Sequence, residues 1–368
     1  MNTNPSPIAS RFLPSLLLFS LTLAVNAVRA DQSQFVNAKM ETRASQSMQS
    51  TVSQLANEST QPVWLAYEVP SFAGDNSCCG TYNREDRQSD CGICNLEHEH
   101  RDSILDRSFS KTLKLEASSQ LTALLRIDQK HVMRIGIASA NCTLDAGGLR
   151  VVWLTGVKPE DSVNFLAQYV KEEDHREDGE SLREQAIMAI AQHADPSADR
   201  VLASFVAADQ PTWLREKTSF WLGASRGKSG LTLLEKMAKD DSSSEVRAKV
   251  AFALFVSHEP AAVDDIIRMA KDDPVAHVRG QALFWLAQKA GQKASATITG
   301  AIQDDPDTEV KKKAVFALSQ MPKDEGIPKL IQVAQTNKNS EVRKQAMFWL
   351  GQSQDPRAVA FFEKILSQ

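Results

Sequence analysis

The sequence predicts an α+β chain: an all-α row of helical pairs over residues 181–368, preceded by a small β-rich, cysteine-containing domain over residues 31–157. Two observations predict it. From Ser181 onward one pattern returns every 32 residues, whereas residues 31–157 hold short apolar runs between turn-forming residues and contain all five cysteines. Composition suits a globular chain, with 42% hydrophobic and 24% charged residues. The formal charge of -4 argues against a nucleic-acid partner, because such partners select basic faces.

The period is carried by Arg183, Arg215, Arg247, Arg279, Lys311 and Arg343, which hold one register without insertion. Each follows an aliphatic residue: Leu182, Leu214, Val246, Val278, Val310, Val342. Seven positions on stand Ile190, Leu222, Leu254, Leu286, Leu318 and Leu350, and a second line runs Leu202, Leu234, Ile266, Ile298, Leu330, Phe362. A fixed period of this size means stacked supersecondary units, each hiding its apolar stripe against the next. In the copy from Ser243 to Asp273, Ser244-Glu245 reads as an N-cap and acidic first turn. Val246, Val250 and Leu254 then recur at helical spacing until His258-Glu259-Pro260 breaks the run. A second helix turns Val263, Ile266, Ile267 and Ala270 inward and stops at Asp272-Asp273-Pro274. Neither helix is long enough to stand alone in water.

The pattern Val-Arg-x-x-Ala-x-x-x-Leu-Gly, carried best by Glu341-Val342-Arg343-Lys344-Gln345-Ala346-Met347-Phe348-Trp349-Leu350-Gly351, resembles the HEAT family in its short bacterial form, related to phycobilisome-lyase repeats. The resemblance covers six copies over 181–368 and implies a HEAT-like solenoid. No residue pattern tied to bilin transfer accompanies it. HEAT-like arrays also pair turn carboxylates with the repeated cation of a neighbouring unit. Here Asp209, Asp241, Asp273 and Asp305 keep step, with Asn337 in the last full copy. A plain solvated, helix-capping charge is the other reading. If exposed, such a pair is worth less than ~1 kcal/mol.

In chain order, residues 1–30 read as a signal peptide. Arg11 precedes an apolar run from Leu13 to Val25, and Val28-Arg29-Ala30 offers small cleavage residues. The run is short for a membrane span, an uncleaved anchor being the alternative. The expected location is therefore secreted or periplasmic, with no membrane span in the mature chain. Asp31 to Thr60 is polar, with a short amphipathic helix around Met48, Val52 and Leu55. Pro62 to Pro70 reads as a strand, and Ser71 to Asp102 as a long loop, either functional or stapled. Thr112 to Ala117 looks extended, Leu121–Ile127 and Val132–Ile137 suggest a hairpin, and Leu149 to Leu154 forms a further run. Residues 158–180 are expected to supply a capping helix, Asp161 to Val170, and a charged connector. Phe361, Phe362, Ile365 and Leu366 are expected to close the downstream end.

Cys78, Cys79, Cys91, Cys94 and Cys142 are disulfide candidates, since a small secreted core uses such staples, and an odd number leaves one thiol over. Cys91, Cys94, His98 and His100 offer a second reading, four ligands of zinc type. A Cys91-x-x-Cys94 redox pair is a third, without the βαβ pattern that usually surrounds one. The seven histidines are scattered, and no nucleophile elbow, phosphate loop or His-Glu-x-x-His occurs. No catalytic residue and no cofactor is assigned.

Five places after each cation stand Phe220, Phe252, Phe284, Phe316 and Phe348; Trp221, Trp285 and Trp349 follow in alternate copies, with Ala253 and Ala317 between. These positions lie off the Val/Leu stripe. They form either an aromatic spine shared between repeats or an aromatic strip open to a partner. Two functions are therefore expected of such a chain. One is a non-catalytic scaffold binding a protein or peptide on the array. The other is a thiol- or zinc-dependent enzyme or redox module seated in the loop 78–100.

Overall fold

Two central strands, Val63–Pro70 and Arg150–Thr155, are apolar on both faces, so each face needs cover. The computed structural model describes residues 34–72, 82–83, 88–89, 94–97, 118–171, 181–289 and 291–367. Its strands are β1 (Gln34–Val36), β2 (Lys39–Ala44), β3 (Val63–Pro70), β4 (Tyr82–Asn83), β5 (Gln88–Ser89), β6 (Cys94–Asn95), β7 (Gln120–Asp128), β8 (His131–Ser139), β9 (Thr143–Asp145) and β10 (Arg150–Thr155). Helices α1 (Met48–Glu58) and α2 (Pro159–Lys171) accompany them. A five-stranded sheet runs β2-β10-β3-β7-β8, and a small parallel sheet runs β1-β9-β6. β10 lies parallel between β2 and β3, so α1 is the crossover of a βαβ unit split by a late strand. The expected hairpin is β7–β8, with Gln129 and Lys130 at positive φ in its turn.

Alternation assigns the faces. Val63, Leu65, Tyr67 and Val69 join Leu121, Leu125, Val152 and Leu154 on the helical side. Trp64, Ala66, Leu124, Val151 and Trp153 meet Leu144, Ala146, Cys94 and Cys142 on the other. β1 and β2 lie in the stretch read as polar, with only a short helix assigned in it. β2 is an edge strand with four of its six residues exposed, so it carries no apolar signal. The extended reading of Thr112–Ala117 and the connector 172–180 fall outside the described residues.

The rest is helical, in six successive pairs. They are α3 (Leu182–Gln192) and α4 (Pro196–Phe205), α5 (Thr212–Ser225) and α6 (Gly227–Asp240), and α7 (Ser244–Val256) and α8 (Ala262–Asp272). Then come α9 (Ala276–Lys289) and α10 (Gly291–Asp304), α11 (Thr308–Ser319) and α12 (Lys323–Thr336), and α13 (Ser340–Gln352) and α14 (Pro356–Leu366). Odd helices from α3 to α13 pack in a file, as do even helices from α4 to α10, with α12 against α14. The anchors lie inside: Leu222, Val246, Leu254, Ile266, Leu286, Ile298, Leu318 and Leu330 are at most 1% exposed. α7 is capped by Ser243, whose hydroxyl accepts the Val246 N–H, and not by Ser244, which is the first helical residue. Asp307 and Asn339 do the same for α11 and α13.

A single core continues from the sheet into the array. α3 packs on β8, where Gln185 accepts the edge N–H of Ile135 at 2.8 Å. His193 and Ala194 extend β3, Ala194 N–H donating to the Pro70 carbonyl at 2.9 Å. At the far end Phe361 is buried, but Ile365 and Leu366 are exposed and do not close the core as expected.

Candidate interaction surface of the helical array

The repeated cations build a ladder. Arg215 forks onto Asp241 at 2.8 and 3.0 Å, Arg247 onto Asp273 at 2.7 and 3.0 Å, and Arg279 onto Asp305 at 2.7 and 2.9 Å. Each rung joins the first helix of a pair to the end of its second. The next unit then grips the same aspartate from behind. Arg247 donates to the Asp241 carbonyl at 2.8 Å, and Arg279 to that of Asp273 at 2.9 Å. Each carboxylate also accepts an amide two residues on, from Ser243, Val275 and Asp307. Hydrogen bonds donated to Asp273 and Asp305 raise the pKa of Arg247 and Arg279 against burial, which lowers it. At Asp305 burial pushes the carboxyl up, but Arg279 and the Asp307 amide outweigh it and hold it low.

The carboxylate forks thus lie within a unit, not between neighbours as the resemblance implies, and they are not the exposed kind of pair. The six side chains are 3–10% exposed, and removing one member of such a pair strands a buried charge, at about 3–5 kcal/mol. The ladder is also incomplete. Lys311 donates to the Gln303 carbonyl at 2.9 Å and Arg343 to that of Asn337 at 2.8 Å. Arg183 lies over the Trp213 ring at 5.0 Å, while Asp209 is exposed.

All eight aromatic candidates come together. Phe220 stacks on Phe252 at 5.8 Å and Phe284 on Phe316 at 5.8 Å. Where the next unit carries Trp, it replaces that stack: Phe252 meets Trp285 at 4.6 Å and Phe316 meets Trp349 at 4.8 Å. Trp221, Trp285 and Trp349 each turn an edge to the Phe beside them at 4.7–5.0 Å. The result is an unbroken file of rings across α5, α7, α9, α11 and α13. The two-unit period of the sequence thus becomes alternate Phe–Phe and Phe–Trp packing. The rings are half-buried, so they are shared between repeats and still present a face to solvent; Phe348 is 54% exposed. Phe255 joins the file at 4.9 Å from Trp285; it occurs in one copy, so no periodic signal could have found it.

Trp221 also lines a cavity of about 460 Å³ between the sheet and the array, with Phe72, Gln120, Ser139, Gln192 and Ser225. Beneath it Arg226 is buried, donating to Asp199 at 2.7 and 3.0 Å and to the carbonyls of Ala191 and His193 at 3.0 and 2.6 Å. His193 is buried too. Its Nδ1 donates to the Ala189 carbonyl at 2.7 Å, leaving Nε2 to accept from Ser162 Oγ at 2.9 Å. Tyr67 completes the chain at 2.8 Å from Ser162. Burial pushes His193 down to about 4, with Arg226 acting the same way and the Ala189 carbonyl opposing. The imidazole is therefore a neutral structural tie.

Cys94 and Cys142 are buried together on the outer side of the sheet. Cys78, Cys79 and Cys91, with His98 and His100 of the zinc-type alternative, lie outside the described residues. Among the described residues no three potential ligands gather as a metal site.

Residues 230–319 and 295–368 match the family model for HEAT repeats. The match runs from α6 through α14. No curated protein matches the chain. Among solved structures, human deoxyhypusine hydroxylase in complex with glycerol is similar at 15% identity, over 56% of this chain and 90% of that one, with a TM-score of 0.30. The complex of CpcE and CpcF of phycocyanin lyase from Nostoc is similar at 18%, over 56% and 81%, with a TM-score of 0.26. The S. pombe condensin Cnd3-Cnd2 subcomplex is similar at 18%, over 54% and 29%, with a TM-score of 0.36. At such identities and TM-scores none of these proteins' activities carries over to this chain.

Proposed function

We propose that this HEAT-repeat chain is a non-catalytic scaffold that holds a protein or peptide outside the cytoplasm. The observation that carries it is the file of half-buried rings from Phe220 to Trp349. Aromatic side chains give a large contact area at low entropy cost and are enriched where partners bind. Their regular spacing on a rigid row suits an extended segment. Among the described residues no helix is long and apolar enough to cross a membrane. The extracytoplasmic location rests on the signal-like residues 1–30. Cysteine pairing belongs to the same reading, supported by the burial of Cys94 and Cys142 in one cluster.

The test is native capture of partners by the full chain and by a Phe220→Ala, Phe284→Ala, Phe348→Ala variant. The expected result is a saturable partner held by the wild type and lost, or weakened at least about tenfold, by the variant, as for aromatic anchors of an interface. Equal capture by both would reject the aromatic row as the binding surface.

A further inference from the structure

The grooves between successive even helices allow a comparison within the molecule. One, between α6 and α8, encloses about 610 Å³; its counterpart two repeats on, between α10 and α12, encloses about 400 Å³. The walls correspond position by position, but their charges do not. The first sets five acids, Glu235, Asp240, Asp265, Asp272 and Asp273, against four cations, Lys236, Lys239, Arg247 and Arg268. In the second, Thr299 stands for Glu235, Lys329 for Asp265, Thr336 for Asp272 and Asn337 for Asp273. Asp304 is the one acid left in that wall, against Lys311, Lys329 and Lys338.

The second groove is also where the ladder loses its carboxylate. Arg247 fills its own groove by forking onto Asp273. Lys311 has no fork, and it turns to the Gln303 carbonyl. Asn337 turns its amide to the Ile302 carbonyl at 3.3 Å. Lys329 donates to Ser295. Thr299 Oγ1, in the same wall, is shielded from solvent and has no partner. Of the nearby acids, Asp305 is taken by Arg279, and Glu325 lines the adjoining cavity beside Lys329.

We infer that the groove between α10 and α12 binds a side-chain carboxylate from an acidic segment of a partner, in place of the aspartate the ladder lacks at position 337. The three complete rungs place a carboxylate in the corresponding spot, so the occupant's chemistry is displayed by the chain itself. This rests on the scaffold reading and names the partner's charge. Lys311, Lys329 and Lys338 would attract a free inorganic anion as well, and the experiment separates the two.

The full chain is titrated with a fluorescent alternating Gly-Glu peptide and with its Gly-Gln counterpart. The acidic peptide is expected to bind at least about tenfold more tightly, and the preference to shrink as salt screens it. Lys311→Arg with Asn337→Asp rebuilds the rung; this variant is expected to melt higher and to lose the preference. Lys329→Asp, which restores the acidic wall, should lose it too. Equal binding of the two peptides, or an undiminished preference in both variants, overturns the inference. So does displacement by inorganic phosphate as effective as by unlabelled Gly-Glu peptide, which reassigns the groove to a free anion. A chain that keeps this preference yet captures no partner would sink the scaffold reading alone.

Discussion

Arg279 and Asp305 show how one residue's weight depends on its surroundings. Asp305→Asn or Arg279→Ala is expected to cost about 3–5 kcal/mol in urea unfolding, because each leaves a buried group without its partner. The exposed Glu341–Lys344 pair, by contrast, should yield less than about 1 kcal/mol when Glu341 is replaced by Gln. The native pKa of Asp305 is lowered, so its contribution is complete above the ordinary carboxylate range and is lost as pH falls through the native value. The gap between wild type and Asp305→Asn should therefore close in acid. His193 acts in a milder window. Its native value near 4 lies below the ordinary 6.5 of a free imidazole, so the unfolded chain binds the extra proton between them. Stability is fully present above 6.5 and declines toward 4, by an amount on the order of 3 kcal/mol. A melting series from pH 7 to 4 should be flatter in His193→Gln than in wild type. The rungs were visible in the sequence as residues keeping step. Their burial was not, because spacing along a chain does not report how closely the second helix covers the first.

At the scale of an element, two glycines at one repeat position make a matched experiment. A Cβ on Gly223 would collide with the Ala253 carbonyl oxygen, since α5 and α7 approach closely there. On Gly351 it would meet nothing within 4 Å. Gly223→Ala should lower the melting point, overpacking costing about 1–3 kcal/mol. Gly351→Ala should leave it unchanged or raise it, by up to about 1 kcal/mol of helix propensity. Within the aromatic file, Phe316→Ala removes contacts with Phe284 and Trp349 at once, so it should destabilise more than Phe348→Ala, whose ring is mostly in solvent. Helices with a repeated anchor were readable to within a residue or two; the α7 cap moved from Ser244 to Ser243. Strands β1 and β2 were not readable, since Lys39-Met40-Glu41-Thr42-Arg43-Ala44 owes its conformation to backbone pairing with β10.

For the whole molecule, the continuity of the core from Leu125 and Ile135 into Ile187, Ile190 and beyond ties the sheet to the first helical pairs. A fragment ending at Lys171 would uncover the face of β8 that α3 covers, and would lose the contacts Arg226 makes at the junction. It is expected to bind a hydrophobic dye and to melt well below the full chain; a fragment as stable as the parent would contradict the shared core.

Taken alone, the amino-acid order determined the six-fold period, the two files of helices and the aromatic alternation, because each is a local pattern that burial repeats at a constant interval. The tertiary structure decided the rest. It placed β10 between β2 and β3, sank the ion pairs out of water, and left the α10–α12 groove basic where its counterpart is balanced. Those features depend on side chains far apart in the chain meeting across a gap, and no periodicity encodes the width of that gap.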